Sequence, residues 1–370
     1  MACGVALAHD YVTQRGGAER VVLNMAAAFD DAPLYTTLYD PAGTFPEFAG
    51  LDIRVSPLDR IGVLRRAHRL AMPLLAHTVS NMTVDADVLL VSSSGWAHGM
   101  RTSGRKIVYC HTPARWLYQR DRYLGAGRRG PAAVAASLAL DGLGRRLRQW
   151  DRAAALSADR YLANSTVTRD AIKQVYGIEA QVVPPPPALL PDGPQIAVDG
   201  TEPGFLLCVA RLLPYKNVDA VIDAVAQMPG ARLVVVGSGP DSGRLAAKAA
   251  TTSGVKLLGR VDDAQLRWLY ANCSALVAAS YEDYGLSPLE AASFGKPSVV
   301  LRAGGYLDTV IDGRTGVFFD EPMPGQVAAA LDAAASVPWD ERVLCAHAET
   351  FSADRFEARL REIVAAEATR

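Results

Sequence analysis

Two glutamates eight residues apart, Glu282 and Glu290, lie in SYEDYGLSPLEAASFGKP (280–297), and a basic pair, Arg211 and Lys216, lies in ARLLPYKNVD (210–219). Ionised carboxylates accept hydrogen bonds from hydroxyls, and Arg and Lys are the side chains that grip phosphate. Ser287, Pro288 and Glu290 also read as a helix start. Ser287 is expected as the N-cap, Pro288 at the first position and Glu290 at the third residue of a capping box. The loop Asp283–Ser287 would then offer free backbone amides, an anion site at a helix N-terminus. Glu282 precedes that loop and has no capping use. Gly16 and Gly17, in RGGAERV (15–21), are small enough for backbone to approach an anion closely. His111 ends an apolar run, where a lone histidine is more often structural than chemical.

Those residues need elements to hold them. GVALAH (4–9), VLLVSSS (88–94), KIVYCHT (106–112) and RYLANS (160–165) read as buried strands, with helices over 18–29 and 145–158. The second half repeats the plan. FLLCVAR (205–211), RLVVVG (232–237), VKLLGR (255–260), ALVAAS (275–280) and PSVVL (297–301) are strands, with helices over 217–228 and 263–271 between them. Nearly continuous apolar strands alternating with helices predict α/β architecture, with parallel sheets covered on both faces. VVPPPPALLPDGP (182–194) suits neither a helix nor a central strand. The expected domains are therefore 1–183 and 201–350, with a linker over 184–200. A last helix over 351–370 is expected to return to the first domain. Two Rossmann-like domains joined in this way leave a cleft at the C-terminal ends of their strands, where ligands of open sheets bind.

At 370 residues with 50% apolar and 21% charged residues, the chain can bury a large core and is not disordered. Its net charge of −1 divides into +6 over residues 1–180 and −7 over 181–370. Basic residues crowd 101–152, twelve Lys and Arg against three Asp, with Trp116, Tyr118, Tyr123 and Trp150 interleaved. Docking on an anionic membrane is one reading and solvated helix faces are the other. No nucleic-acid-binding signature is present. Cys3, Cys110, Cys208, Cys273 and Cys345 are scattered and odd in number, which argues for a reduced, cytoplasmic chain and against a zinc ribbon. Asp85-Ala-Asp87 has a metal-binding spacing but precedes a strand, and is read as a turn. Gly237-Ser-Gly239-Pro240 lacks the third glycine of a dinucleotide loop.

The glutamate segment resembles the E-x7-E motif of retaining GT-B glycosyltransferases of family 4. ARLLPYKNVD is similar to the family's R-x4-K segment. VVVGSGPDSGRL (234–245), LLGRVDDAQLRWLYANCSALVAAS (257–280) and GGYLDTVIDGRTGVFF (304–319) follow in the family's order. RGGAERV, YCHTPARWLY (109–118) and WDRAAALSADRYLANSTVTRDAIKQVYG (150–177) resemble its first-half segments, so the likeness spans nearly the whole chain. One departure is Asp308, where the family often has Glu.

The resemblance implies a GT-B fold and transfer of a hexose from a nucleoside-diphosphate sugar with retention, by a front-face route without a protein nucleophile. It makes Glu282, His111, Arg211 and Lys216 the catalytic set. Arg211 and Lys216 would hold the donor diphosphate, Glu282 and His111 the donor sugar, and Glu290 the ribose. Gly16, Gly17, Gly259, Arg260, Val261, Asp283, Tyr284, Gly285, Leu286 and Ser287 complete the donor site. No metal and no cofactor beyond the donor are expected. The look of YCHTP and EDYG is nearest to bacterial mannosyltransferases of surface-polysaccharide assembly. GDP-mannose is therefore the first donor expected, and a glycan or lipid-linked molecule at the inner membrane face the acceptor. The alternatives are a small-molecule glycosyltransferase using a UDP- or dTDP-sugar, an NAD-dependent oxidoreductase, and an inactive binding protein of the same fold.

Overall fold

A computed structural model describes residues 4–66, 71–118 and 131–370. The chain forms two compact units, one of residues up to Pro185 plus Ala353–Arg370 and the other of Pro186–Ser352. The division falls within the run of four prolines.

The first unit holds β1 (Val5–His9), β2 (Leu34–Thr36), β3 (Ile53–Val55), β4 (Thr83–Val84), β5 (Val88–Ser93), β6 (Arg101–Thr102), β7 (Arg105–Cys110), β8 (Arg160–Ala163) and β9 (Gln181–Val182). Seven of them form one parallel sheet in the order β3-β2-β1-β5-β7-β8-β9, and β4 pairs with β6. β5 is buried at all six positions, as a parallel strand covered on both faces must be. β2 and β3 are only three residues long and carry no readable period, so the sequence does not announce them. The helix Pro131–Leu156 starts earlier than 145.

The C-terminal helix Ala353–Ala368 packs in this unit. Phe356, Leu360, Ile363 and Val364 join the core beneath β1, β5 and β7. Buried Glu367 accepts from Arg105 at 3.1 Å and from Arg160 at 3.4 Å. Burying a carboxylate without such partners is costly.

The second unit holds β10 (Phe205–Val209), β11 (Leu233–Val236), β12 (Val255–Gly259), β13 (Cys273–Ala278), β14 (Ser298–Leu301) and β15 (Gly316–Phe319), all parallel, in the order β12-β11-β10-β13-β14-β15. In both sheets the first strand is central, and the chain runs outward to one side before crossing to the other. Such reversals open a crevice beyond the C-terminal strand ends. The crevices lie between β1 and β5 in the first unit and between β10 and β13 in the second.

Three of the four described cysteines, Cys110, Cys208 and Cys273, are buried free thiols, and Cys345 is an exposed one. No described helix is long and apolar enough to cross a membrane.

Candidate active site

In the second unit, the segments after β10 and β13 meet at the reversal point. Lys216 Nζ donates to Glu282 Oε1, which also accepts the Ser280 hydroxyl. An ammonium has three donors, so two of those on Lys216 stay available. Glu282 Oε2 is likewise left over. Arg211 is exposed and makes no hydrogen bond or ion pair with the described residues. One pinned cation and one free cation thus stand where β10 ends.

The backbone fixes Lys216 firmly. Asn217 adopts φ 52°, the one positive φ outside glycine among the described residues, and its amide donates to Ala279 O at 2.8 Å. Asn tolerates this conformation better than most residues, and the bond ties the turn to the end of β13. Sequence reading assigned Asn217 no role. Its only signal is its place directly after the lysine.

The acidic loop is clamped from outside. A side chain on Gly304 would lie 2.2 Å from Glu282 O, and one on Gly305 would lie 2.2 Å from Tyr284 O. Gly305 N–H donates to Glu282 O at 2.8 Å. The glycine pair therefore exists to let two backbones touch. Gly237 and Gly239 do the same for the Arg211 loop, with carbonyls of Ala210 and Leu212 about where their Cβ atoms would go. That accounts for the glycines that resembled part of a dinucleotide loop.

One expectation is corrected here. The helix spans Leu286–Ser293, the cap position belongs to Gly285 at φ 87°, and no side chain caps it. Ser287 instead hydrogen-bonds the Tyr306 hydroxyl. Glu290 lies a turn inside, accepting from Tyr270 Oη at 2.7 Å and from the backbone amides of Ala188 and Leu189. Burial pushes its carboxyl above the ordinary range, and these bonds oppose that. The capping box of this unit lies elsewhere, at Asp262 and Gln265. Gly259 ends β12 at φ 69°, Arg260 Nε donates to Ser238 Oγ at 2.9 Å, and Val261 is half-buried. Asp283 and Tyr284 are buried, and burial, with Asp308 adding, raises the Tyr284 phenol well above its usual value.

In the first unit, Gly16 and Gly17 follow β1 and open the helix Gly17–Ala28. A side chain at Gly16 would meet Glu19 Oε2 at 2.5 Å, so the space it leaves is filled by that carboxyl. Glu19 is buried, which raises its pKa, while His9 opposes the shift. Sequence reading missed it, because an acid in a first helical turn is ordinary. His111 follows β7 and is buried. Burial lowers its pKa to about 3, with His9 and Arg115 adding, so the ring is neutral near pH 7. Its Nε2 lies 2.8 Å from Ser92 Oγ. Asp10, also missed, accepts the amides of Ser94, Trp96 and Ala97 at 2.7, 3.1 and 2.6 Å and shapes the loop after β5. Asp87 of the acidic pair accepts Gly4 N–H at 2.7 Å, which ties the segment before β5 to the start of β1 where a turn was expected. The described residues contain no group of three or more side chains suited to a metal ion. In the basic stretch, Arg128, Arg129 and Tyr123 lie outside the described residues.

Two family models match the chain in order: Glycosyltransferase Family 4 over residues 15–186 and Glycosyl transferases group 1 over 195–346. With two parallel α/β units, they define the class, a glycosyltransferase of the GT-B fold. Among its relatives, a glycogen synthase of Thermus thermophilus is 38% identical over 132 residues, which are 34% of this chain and 30% of that protein. A D-inositol 3-phosphate glycosyltransferase 2 of Catenulispora acidiphila is 28% identical over 47% of each chain. The chain thus matches less than half the length of these relatives. Anabaena HepE, solved with UDP-glucose, shares the fold at a TM-score of 0.69 and 18% identity, over 98% of this chain and 100% of that one. With the class fixed, the oxidoreductase expectation falls away.

Proposed function

We propose that this protein transfers a hexose from a nucleoside-diphosphate sugar to a glycan or lipid-linked acceptor, with retention of configuration. The observation that carries this reading is the meeting of Lys216 and Glu282 at the β10–β13 reversal, beside the unpaired Arg211.

The chemistry follows from those groups. When the sugar–phosphate bond breaks, negative charge grows on the departing diphosphate. The two free donors of Lys216 and the guanidinium of Arg211 are fixed cations that meet it. Glu282 orients Lys216 with one oxygen and offers the other to a sugar hydroxyl. The acceptor hydroxyl attacks from the face the diphosphate leaves, and its proton passes to a departing phosphate oxygen. The protein then supplies electrostatics and orientation rather than a nucleophile, and the two cations do the work a metal would otherwise do. Glu290 and the Gly259–Val261 turn serve the nucleoside. His111 and the Gly16–Gly17 loop serve the sugar and phosphates.

GDP-mannose is the donor this reading favours. UDP-glucose is the competing donor, because HepE was solved with it. The acceptor belongs to the first unit, where Arg145, Arg146, Arg148 and Arg152 are exposed along one helix and suit an anionic lipid surface at the cytoplasmic membrane face. The test is release of nucleoside diphosphate from each donor, with and without EDTA, by the wild type and by Lys216→Ala. Turnover that resists EDTA and collapses in the variant supports the reading. Equal turnover in both proteins contradicts it.

A further inference from the structure

The reversal point of the first sheet holds a chain of three side chains. His9 ends β1, Ser92 lies opposite it in register on β5, and His111 follows β7. His9 Nδ1 lies 3.2 Å from Ser92 O and 3.0 Å from Ser92 Oγ, and Ser92 Oγ lies 2.8 Å from His111 Nε2. His9, Ser92 and His111 are 2%, 0% and 9% exposed. The next hydroxyl, on Ser93, points to the other face, toward Asp10 and His98.

Proton positions follow from counting donors. His9 Nδ1 reaches both oxygens of Ser92, and a bond to the carbonyl, which only accepts, requires a hydrogen on Nδ1 that Oγ then shares. Ser92 Oγ is then an acceptor toward His9. Its own hydrogen has one partner left, His111 Nε2. In the reverse arrangement His111 Nε2–H would donate to Ser92 Oγ, whose own hydrogen would face the Nδ1–H of His9 and find no acceptor. The neutral His111 ring therefore takes its single hydrogen on Nδ1.

We infer that Ser92, oriented by His9, is a positioning residue that holds His111 as its Nδ1–H tautomer, so that His111 meets a ligand as a hydrogen-bond donor and not as a base. The charged groups around this chain are Arg115 near His111, and Glu19 and Asp10 near His9. None of them supplies the hydrogen on His111. The consequence for transfer rests on the reading above, in which His111 touches the donor sugar: Nδ1–H would donate to a sugar hydroxyl oxygen.

The test is nitrogen-15 NMR of histidine-labelled full-length protein at pH 7.5, with His111 assigned by its loss in His111→Gln. The expected wild-type spectrum shows His111 protonated at Nδ1 and bare at Nε2. Ser92→Ala, which removes one oxygen from a buried strand, should move the ring toward Nε2–H, and Ser92→Thr should restore the wild-type pattern. Ser92→Ala should also raise the donor KM about two- to tenfold, the scale of one neutral hydrogen bond, leaving the acceptor KM unmoved. A wild-type ring protonated at Nε2, or an unchanged ring in Ser92→Ala, overturns the inference. If the spectra are as expected but His111→Gln transfers sugar at the wild-type rate, the tautomer stands and the donor-sugar role of His111 falls.

Discussion

The two units share a plan and differ in the electrostatics of their reversal points. In the second unit the residues are charged and partly open to water: Lys216 on Glu282, with Arg211 unpaired beside them. In the first unit the corresponding place is lined by His9, Ser92 and His111, buried and joined by hydrogen bonds, with His111 kept neutral by burial. Under the proposed function, this difference divides the labour. A site that must receive a diphosphate needs fixed positive charge. A site that must order sugar hydroxyls needs donors and acceptors of known direction, and burial makes those directions unambiguous.

The comparison breaks first at Lys216. Lys216→Ala should lower kcat/KM by about 3–4 kcal/mol of barrier, two to three decades, while leaving the fold intact. Donor-hydrolysis kinetics beside circular dichroism would check it. A smaller effect is expected at the clamp on the acidic loop. Gly304 sits at φ 65° against Glu282 O, so Gly304→Ala should destabilise the second unit by about 2–3 kcal/mol and weaken donor binding, read by urea unfolding. The first unit should instead respond to pH. With the His111 pKa lowered to about 3 from an unfolded value near 6.5, the unfolded chain binds the extra proton between those values. Stability therefore falls as pH drops through that window, by about 2 kcal/mol from pH 7 to pH 5. His111→Gln should remove that slope in the unfolding of the first unit. The smallest effect belongs to the basic helix. Arg145→Glu with Arg146→Glu should reduce flotation with anionic vesicles, at roughly 1 kcal/mol per charge, without changing turnover on a soluble acceptor.

The charged residues were legible because each lies in a short motif directly after a strand, although Lys216 and Glu282 are 66 residues apart. Glu282, the loop to Ser287, Arg211 and Lys216 each follow a strand, and the fold brings strand ends together. At the neutral site only His111 was named from the sequence, through the family resemblance, and its partners were not. His9, Ser92 and His111 are separated by 83 and 19 residues, and a serine in a strand has no periodic signature. Glu19 and Asp10 escaped for the same reason, since their burial depends on neighbouring strands. Glu290 shows the opposite failure: Ser-Pro-x-Glu matched a capping box, but Gly285 with positive φ supplied the turn and freed both side chains for tertiary bonds. The short strands were set by pairing, β2 with β1 and β3 with β2, not by their own composition.

The central claim is that the second unit binds a nucleoside diphosphate through fixed cations. A thermal-shift series with GDP, UDP, dTDP, ADP and NAD, each with and without EDTA, on the wild type and Lys216→Ala tests it most directly. A ligand at 100 times its Kd adds about 2.7 kcal/mol, enough to raise the melting point visibly. The expected result is a shift with one nucleoside diphosphate, unchanged by EDTA and lost in the variant. No shift with any nucleoside diphosphate, or an equal shift in the variant, would contradict it.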